Sequence, residues 1–141
     1  MPRVLELFAG TGSIGNAFAA QDFEVISVDL ESTFGPTHVC DVMHFEYWQY
    51  PKDFFDVVWA SPPCQMYSIA RTRAKLPRNM EIADEIVLKA REIIAYFNPK
   101  YWFIENPFSG HLKRREIMQD VMHLAKKVSY CMYGKPYRKT R

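Results

Sequence analysis

Three short stretches of this sequence set reactive side chains beside unusual backbone residues. In Ser61-Pro62-Pro63-Cys64-Gln65 two prolines precede a thiol. Each proline fixes φ and removes a backbone donor, so the side chain that follows is held in a rigid turn. Such a thiol is a nucleophile where a helix start or a base lowers its pKa, and otherwise an inert buried cysteine. In Phe103-Ile104-Glu105-Asn106-Pro107 an acid ends an apolar run. A partly buried carboxyl there could give a proton or hydrogen bond to a ring nitrogen, or be a loop acid ahead of an Asn-Pro turn. The third stretch is Phe8-Ala9-Gly10-Thr11-Gly12-Ser13-Ile14-Gly15. Its glycines permit a tight turn and close backbone approach to a ligand at a helix start. Read alone, the pattern serves a dinucleotide or S-adenosylmethionine equally well, or no ligand. Asp29 ends the next apolar run, where a carboxylate accepts both hydroxyls of a ribose. Asp41 follows the third, placed either to meet an adenine amino group or to cap the segment after it.

These residues need a scaffold that puts them at one edge. Short apolar runs predict strands at Val4–Phe8, Glu24–Val28, Val39–Cys40, Asp56–Ala60, Tyr101–Ile104 and Val128–Met132. Helices are expected at Ser13–Ala20, near His44–Tyr50, over Met80–Phe97 and over Leu112–Lys127. In the long one, Ile82, Ile86, Ala90, Ile93 and Phe97 recur at spacings of three and four; Asn79 caps it and Asn98-Pro99 stops it. Alternating units of this kind build an α/β fold: a Rossmann-like, doubly wound, mostly parallel sheet. Ligands in such sheets sit beyond the C-terminal ends of the strands, where the chemistry-bearing residues fall.

Length and composition fit one domain over residues 1–141, with 48% hydrophobic residues and enough chain to bury a core. No apolar run approaches the length needed to span a bilayer, so no membrane partner is expected. Three cysteines (Cys40, Cys64, Cys131) without paired spacing suit a reducing, intracellular compartment, cytoplasm or nucleus. Cys40 and Cys131, at or inside predicted strands, read as inert. The scattered histidines give no metal-ligand spacing, and no metal is expected. Charge is divided: residues 1–60 carry two bases and nine acids, residues 61–141 sixteen bases and seven acids. Such asymmetry suggests a cofactor half joined to a half that meets a polyanion, or solvated surface charge alone.

Phe8-Ala9-Gly10-x-Gly12, Pro63-Cys64-Gln65 and Glu105-Asn106-Pro107, in this order, resemble the cytosine-C5 DNA methyltransferase family. The C-terminal Tyr133-Gly134-Lys135-Pro136-Tyr137-Arg138-Lys139-Thr140-Arg141 is similar to that family's Gly-x-Pro-Gln-x-Arg-x-Arg motif, with Tyr137 in place of Gln and Lys139 in place of the first Arg. The resemblance implies the S-adenosylmethionine-dependent methyltransferase fold, with S-adenosyl-L-methionine as cofactor. Cys64 attacks C6 of a flipped cytosine, Glu105 contacts N3, C5 takes the methyl group, and elimination releases the thiol. Cys64, Glu105 and Arg141 are then the catalytic residues. Cofactor contacts fall to Phe8, Ala9, Gly10, Gly12, Asp29, Asp41 and Pro63. Substrate contacts fall to Gln65, Ser68, Arg71, Arg73, Asn106 and Lys139.

The stretch from Ser61 to Arg78 carries Arg71, Arg73, Lys75 and Arg78 without an acid, and in the family the corresponding loop closes over the base. Its other reading is a basic surface loop. Lys113-Arg114-Arg115 is read as a solvated helix start. Family members continue with a further strand, a target-recognition region and a segment completing the cofactor pocket. The fold is therefore expected to be C-terminally incomplete, with a second chain or dimer partner supplying those parts. DNA is the expected substrate and tRNA its alternative, since one branch of the family methylates tRNA. A catalytically weak or inactive cofactor- or nucleic-acid-binding remnant, or half of a split enzyme, is the competing reading. An amino-methyltransferase would want an aromatic residue where Cys64 stands. A nicotinamide-linked oxidoreductase leaves Pro63-Cys64 and Glu105-Asn106 unexplained.

Overall fold

The computed structural model describes residues 1–63, 80–107, 109–129 and 141. Five strands carry the fold: β1 (Arg3–Leu7), β2 (Glu24–Asp29), β3 (His38–Val39), β4 (Val57–Ala60) and β5 (Tyr101–Ile104). They form one sheet in the order β3-β2-β1-β4-β5, and every pairing is parallel. This is the doubly wound order expected from the alternating pattern. It reverses direction between β1 and β4, which makes the C-terminal ends of those strands the crevice of such a sheet. The observed strand bounds differ from the expected ones by a residue or so, as hydrogen-bonded ends commonly do.

The chain divides into two compact units, residues 1–62 with 86–104, and residues 63–85 with 105–141. The first holds the sheet. On one face Leu5, Leu7, Val28, Val58 and Ala60 pack with Ala90, Ile93 and Phe97 of helix α2 (Met80–Phe97) and with Phe45 and Phe55. Each such large side chain, taken wholly out of water, contributes roughly 1.5–3 kcal/mol. The buried stripe of α2 runs Ala83, Val87, Ala90, Ile93, Phe97. Ile82, expected on that stripe, is instead exposed, because Ala83 and Val87 occupy the inward positions two turns and one turn before Ala90. Asn98 takes a left-handed φ of 46° and ends the helix, while Asp53 N–H bonds the Phe97 carbonyl at 3.2 Å. Asn79, its expected cap, lies outside the described residues.

Two expected helices are corrected. His44–Tyr50 forms no α-helix. Two 3₁₀ turns, Val42–His44 and Tyr47–Gln49, are separated by Phe45 in extended backbone. Phe45 is driven into the core at 3% exposure, and Tyr47 and Tyr50 join a ring cluster with Phe54, Phe55, Tyr96 and Phe97. Burying that aromatic surface outweighs helix propensity. In the second unit Leu112–Lys127 is likewise three 3₁₀ turns: Leu112–Arg114, Glu116–Met118 and Met122–Leu124. Arg115 is extended, with ψ 141°, and Gln119 Nε2 takes the Arg115 carbonyl at 3.0 Å. A helix would have given that carbonyl to the Gln119 backbone N–H. Of the expected Val128–Met132 strand, Val128 exchanges two backbone hydrogen bonds with Arg141, of 3.0 and 2.7 Å, and residues 130–132 lie outside the described residues. No helix among the described residues is long and apolar enough to cross a membrane.

Candidate active site

In the first unit, the chain leaving β1 turns sharply into helix α1 (Ser13–Ala19). Phe8, Gly10 and Gly12 have left-handed φ values of 59°, 54° and 76°. A Cβ added at Gly10 or Gly12 would meet nothing within 4 Å, so it is the backbone conformation, and not crowding, that calls for glycine there. Phe8 adopts the same region with a bulky side chain, a local strain the surrounding bonds must hold. They do so. Ala9 N–H donates to the Val28 carbonyl at 3.1 Å and Gly12 N–H to the Ala9 carbonyl at 2.9 Å. Gly10 N–H donates to Asp29 Oδ2 at 2.8 Å. Asp29 Oδ1 accepts from Glu31 N–H, also at 2.8 Å. The sequence placed Asp29 correctly at the end of β2. The structure adds that this carboxylate ties the glycine loop to the neighbouring strand.

Asp41, following β3, accepts from Met43 N–H at 2.9 Å and caps the 3₁₀ turn, the second of its two readings. Cys40 packs against the core, and burial pushes its thiol pKa up, with Asp41 adding to the rise, as suits an inert cysteine. Beyond β4, Ser61 N–H reaches the Leu7 carbonyl at 3.2 Å and Trp59 Nε1–H donates to Ser61 Oγ at 3.0 Å. Pro62 is buried. These contacts fix the start of the Pro-Pro turn against β1. Pro63 is exposed. Cys64, Gln65, Ser68, Arg71, Arg73 and Lys139 lie outside the described residues, as does Cys131.

Glu6 was missed by the sequence reading. It stands mid-strand in β1, only 2% exposed, in register with Ser27 of β2 and Trp59 of β4. Burial pushes its carboxyl pKa up to about 7; the Gly15 backbone amide opposes the shift and the Asp29 charge adds to it. A Cβ on Gly15 would collide with Glu6 Oε2, so the third glycine of the motif is required by the carboxylate beneath it. The available signal was an acid in the otherwise apolar run Val4-Leu5-Glu6-Leu7. A cavity of about 230 Å³ opens beside it, lined by Glu6, Gly10, Gly12, Asn16, Ser27 and Phe34 among others. It shares the glycine loop with the expected cofactor site but is not lined by Asp29 or Asp41, so it lies behind the loop, toward α1.

In the second unit, Glu105 and Arg141 are brought together. Arg141 Nε lies 2.8 Å from Glu105 Oε1, with the side chains 15% and 23% exposed respectively. Two residues 36 positions apart in sequence, singled out separately, form a half-buried ion pair. Asn106, beside Glu105, is also half-buried. The expected solvated run Lys113-Arg114-Arg115 is corrected at Arg115. Its guanidinium grips Asp84 with three hydrogen bonds, of 3.1, 3.1 and 2.6 Å, while Arg114 is exposed. A forked guanidinium meeting a carboxylate is a strong pairing, and it pulls Arg115 out of helical backbone.

Comparison with known proteins shows the family and the fold. The family model for C-5 cytosine-specific DNA methylase matches residues 2–134. A probable DNA (cytosine-5)-methyltransferase of Frog virus 3 (isolate Goorha) is 35% identical over 147 residues, covering 94% of this chain and 64% of the viral protein. The type II methyltransferase M.AplI of Arthrospira platensis is 26% identical, covering 98% of this chain and 43% of its own. Among solved structures, the Entamoeba histolytica methyltransferase EhMeth superposes with a TM-score of 0.65 at 16% identity, over 99% of this chain and 51% of its own, a likeness of fold. The chain thus spans between about two fifths and two thirds of the length of these relatives. With the family match running from β1 past Glu105, the chain belongs to the C-5 cytosine-specific DNA methylase family.

Proposed function

We propose that this chain transfers a methyl group from S-adenosyl-L-methionine to C5 of cytosine in DNA. The observation that carries the reading is the half-buried pair Glu105–Arg141 at 2.8 Å, formed by the acid and the arginine of two separate family motifs. An arginine held on a carboxylate fixes its orientation, and together they present an acceptor or donor and a cation to the polar edge of a pyrimidine. Cys64 is assigned as the nucleophile. Its sulfur adds to C6 of the flipped base, and Glu105 supports the ring at N3 as electron density moves to C5. After methyl transfer, loss of the C5 proton expels the thiolate and restores the aromatic ring. Asn106 and Lys139, with Gln65, Ser68, Arg71 and Arg73, are assigned to the nucleic acid.

The cofactor supplies an electrophilic methyl group on a sulfonium. The residues around the glycine loop fit such a cation-bearing nucleoside. Phe8, Ala9, Gly10 and Gly12 offer a strained loop with open space beside it, and Pro63 is assigned to the same ligand. Both Asp29 oxygens already accept one backbone N–H, and each keeps a lone pair for a ribose hydroxyl. Asp41, whose Oδ1 caps the 3₁₀ turn, is assigned to the adenine side through its other oxygen. Among the described residues no Lys or Arg lines the cavity behind the loop.

Transfer of labelled methyl groups from S-adenosylmethionine tests the reading, with DNA of several sequences and tRNA as acceptors and nuclease digestion to identify the product. The expected product is 5-methylcytosine in DNA. Label in tRNA alone would move the substrate to RNA. Label at an exocyclic nitrogen would refute the assignment of Cys64, and no label in the presence of cofactor binding would favour the remnant.

A further inference from the structure

The loop that is assigned to the cofactor rests on two carboxylates, with no Lys or Arg among the described residues lining the cavity beside it. Asp29 holds it from the front through Gly10 N–H. Glu6 lies behind it, 2% exposed, with Oε2 close to Gly15 of α1 and unsatisfied in the geometry of the site; the Gly15 backbone amide offsets only part of the effect of burial. An ionised carboxylate so buried is costly unless a cation or donor reaches it. Helix α1 presents Gly15 and Asn16 and carries no titratable side chain. Strand β2 presents Ser27, with Asp29 as its charge near the loop; β4 presents Trp59. The segment after β2 carries Glu31, whose side chain is occupied by Thr33. Among the described residues, every charge near Glu6 is therefore negative, and residues 1–60 hold only Arg3 and Lys52 as Lys or Arg. Arg3 is engaged with Glu24 at 3.0 Å and lies over the Phe54 ring.

Resting on the cofactor assignment above, we propose that ligand binding at the glycine loop is linked to the ionisation of Glu6: the positively charged methyl donor binds the Glu6 carboxylate form, releasing a proton, and the uncharged thioether product does so far less. Glu6 is on this account a positioning and discriminating residue, not a catalytic one. It makes the site prefer the donor to the product by charge, and it weakens donor binding as the pH falls. The raised carboxyl, near 7 without ligand, puts the switch in the neutral range. Only the ionised fraction is competent, so the apparent dissociation constant rises about tenfold between pH 8 and pH 6.

The test is calorimetry of the 141-residue chain with S-adenosylmethionine and, separately, S-adenosylhomocysteine, from pH 6 to 8 in buffers of differing ionisation enthalpy. The expected result is release of about half a proton per donor bound at pH 7 and little release with the product. Glu6→Gln should abolish both the proton release and the pH dependence. A circular dichroism melt establishes that the variant is folded. Should it not fold, the carboxyl resonances of carbon-13-labelled glutamate in the unsubstituted chain serve instead. One carboxyl titrating near neutral pH, and moving to lower pH with donor bound, is expected. Donor binding with no proton release, or release that persists in folded Glu6→Gln, would overturn the linkage while leaving the cofactor assignment standing. No binding of either ligand at any pH would overturn the cofactor assignment itself.

Discussion

The unit that holds the sheet and the unit that holds Glu105 are built on different terms. Residues 1–62 and 86–104 form parallel strands over a dry apolar core, and the two acids expected to meet the cofactor are held by backbone amides: Asp29 by Gly10 and Glu31, Asp41 by Met43. Among the described residues of 63–85 and 105–141, the stretch 112–124 forms short 3₁₀ turns, and charge pairs join Arg115 to Asp84 and Arg141 to Glu105. The first arrangement suits a ligand gripped through a rigid loop. The second suits a site whose side chains must be oriented against each other. The division of charge follows the same line, acids predominating in residues 1–60 and bases in residues 61–141. The lesson is that cofactor affinity and chemistry should respond to separate substitutions.

The largest expected effect lies in the second unit. Glu105→Gln should lower methyl transfer by about 10²–10⁴-fold, because the proton or hydrogen bond at N3 is lost as charge develops. The dissociation constant for S-adenosylmethionine should stay within about twofold, a fraction of RT in free energy. A parallel loss of cofactor binding would erase the contrast between the units.

In the first unit, the stability of the chain should respond to pH through Glu6. Its carboxyl has an ordinary value of 4.5 and is pushed to about 7 by burial, so the folded form holds a proton that the unfolded form has released between those values. Folding stability contributed by this group is full below the lower value and falls as pH rises to the upper one. Glu6→Gln should therefore stabilise the chain above pH 7, by up to about 3 kcal/mol from the linkage of that shift, and little at pH 4. Urea melts at both pH values check this. Equal effects at the two would show that packing, and not ionisation, sets the cost.

Asp29→Ala should weaken S-adenosylmethionine binding by about 1–3 kcal/mol, since a ribose would lose a charged acceptor and Gly10 its anchor. Calorimetry distinguishes this from the Glu105 substitution, which should leave affinity alone. The smallest effect is expected for Arg115→Ala. Its pair with Asp84, exposed 28% and 16%, is only partly shielded from solvent, and the loss should be about 1 kcal/mol of stability with cofactor affinity unchanged.

Much of this was legible from residue order. Parallel strands buried on both faces read as short apolar runs, so Tyr101–Ile104 and the neighbouring strands were found to within a residue or so. Asp29 and Glu105 were placed at strand ends because the doubly wound topology puts functional side chains there. Glu6 was overlooked because only strand register and burial reveal that a lone acid in β1 lies under Gly15. The Arg115–Asp84 pair spans 31 residues, and no local pattern signals it. The Leu112–Lys127 helix failed for the same reason: side chains of Arg115 and Gln119 compete with helical hydrogen bonds. The Glu105–Arg141 contact was foreseeable only through the family motifs, which singled out each residue without stating that they would touch.

The central claim is that Cys64 performs covalent chemistry on cytosine. DNA containing 5-fluorocytosine tests it directly, because fluorine at C5 cannot leave as a proton does and the thiol stays attached to the base. The chain is incubated with that DNA and S-adenosylmethionine, denatured, and the crosslinked peptide sequenced by mass spectrometry. The account predicts a cofactor-dependent adduct on Cys64, absent in Cys64→Ala although that variant still binds cofactor. An adduct on Cys40 or Cys131, or equal capture by Cys64→Ala, would contradict it.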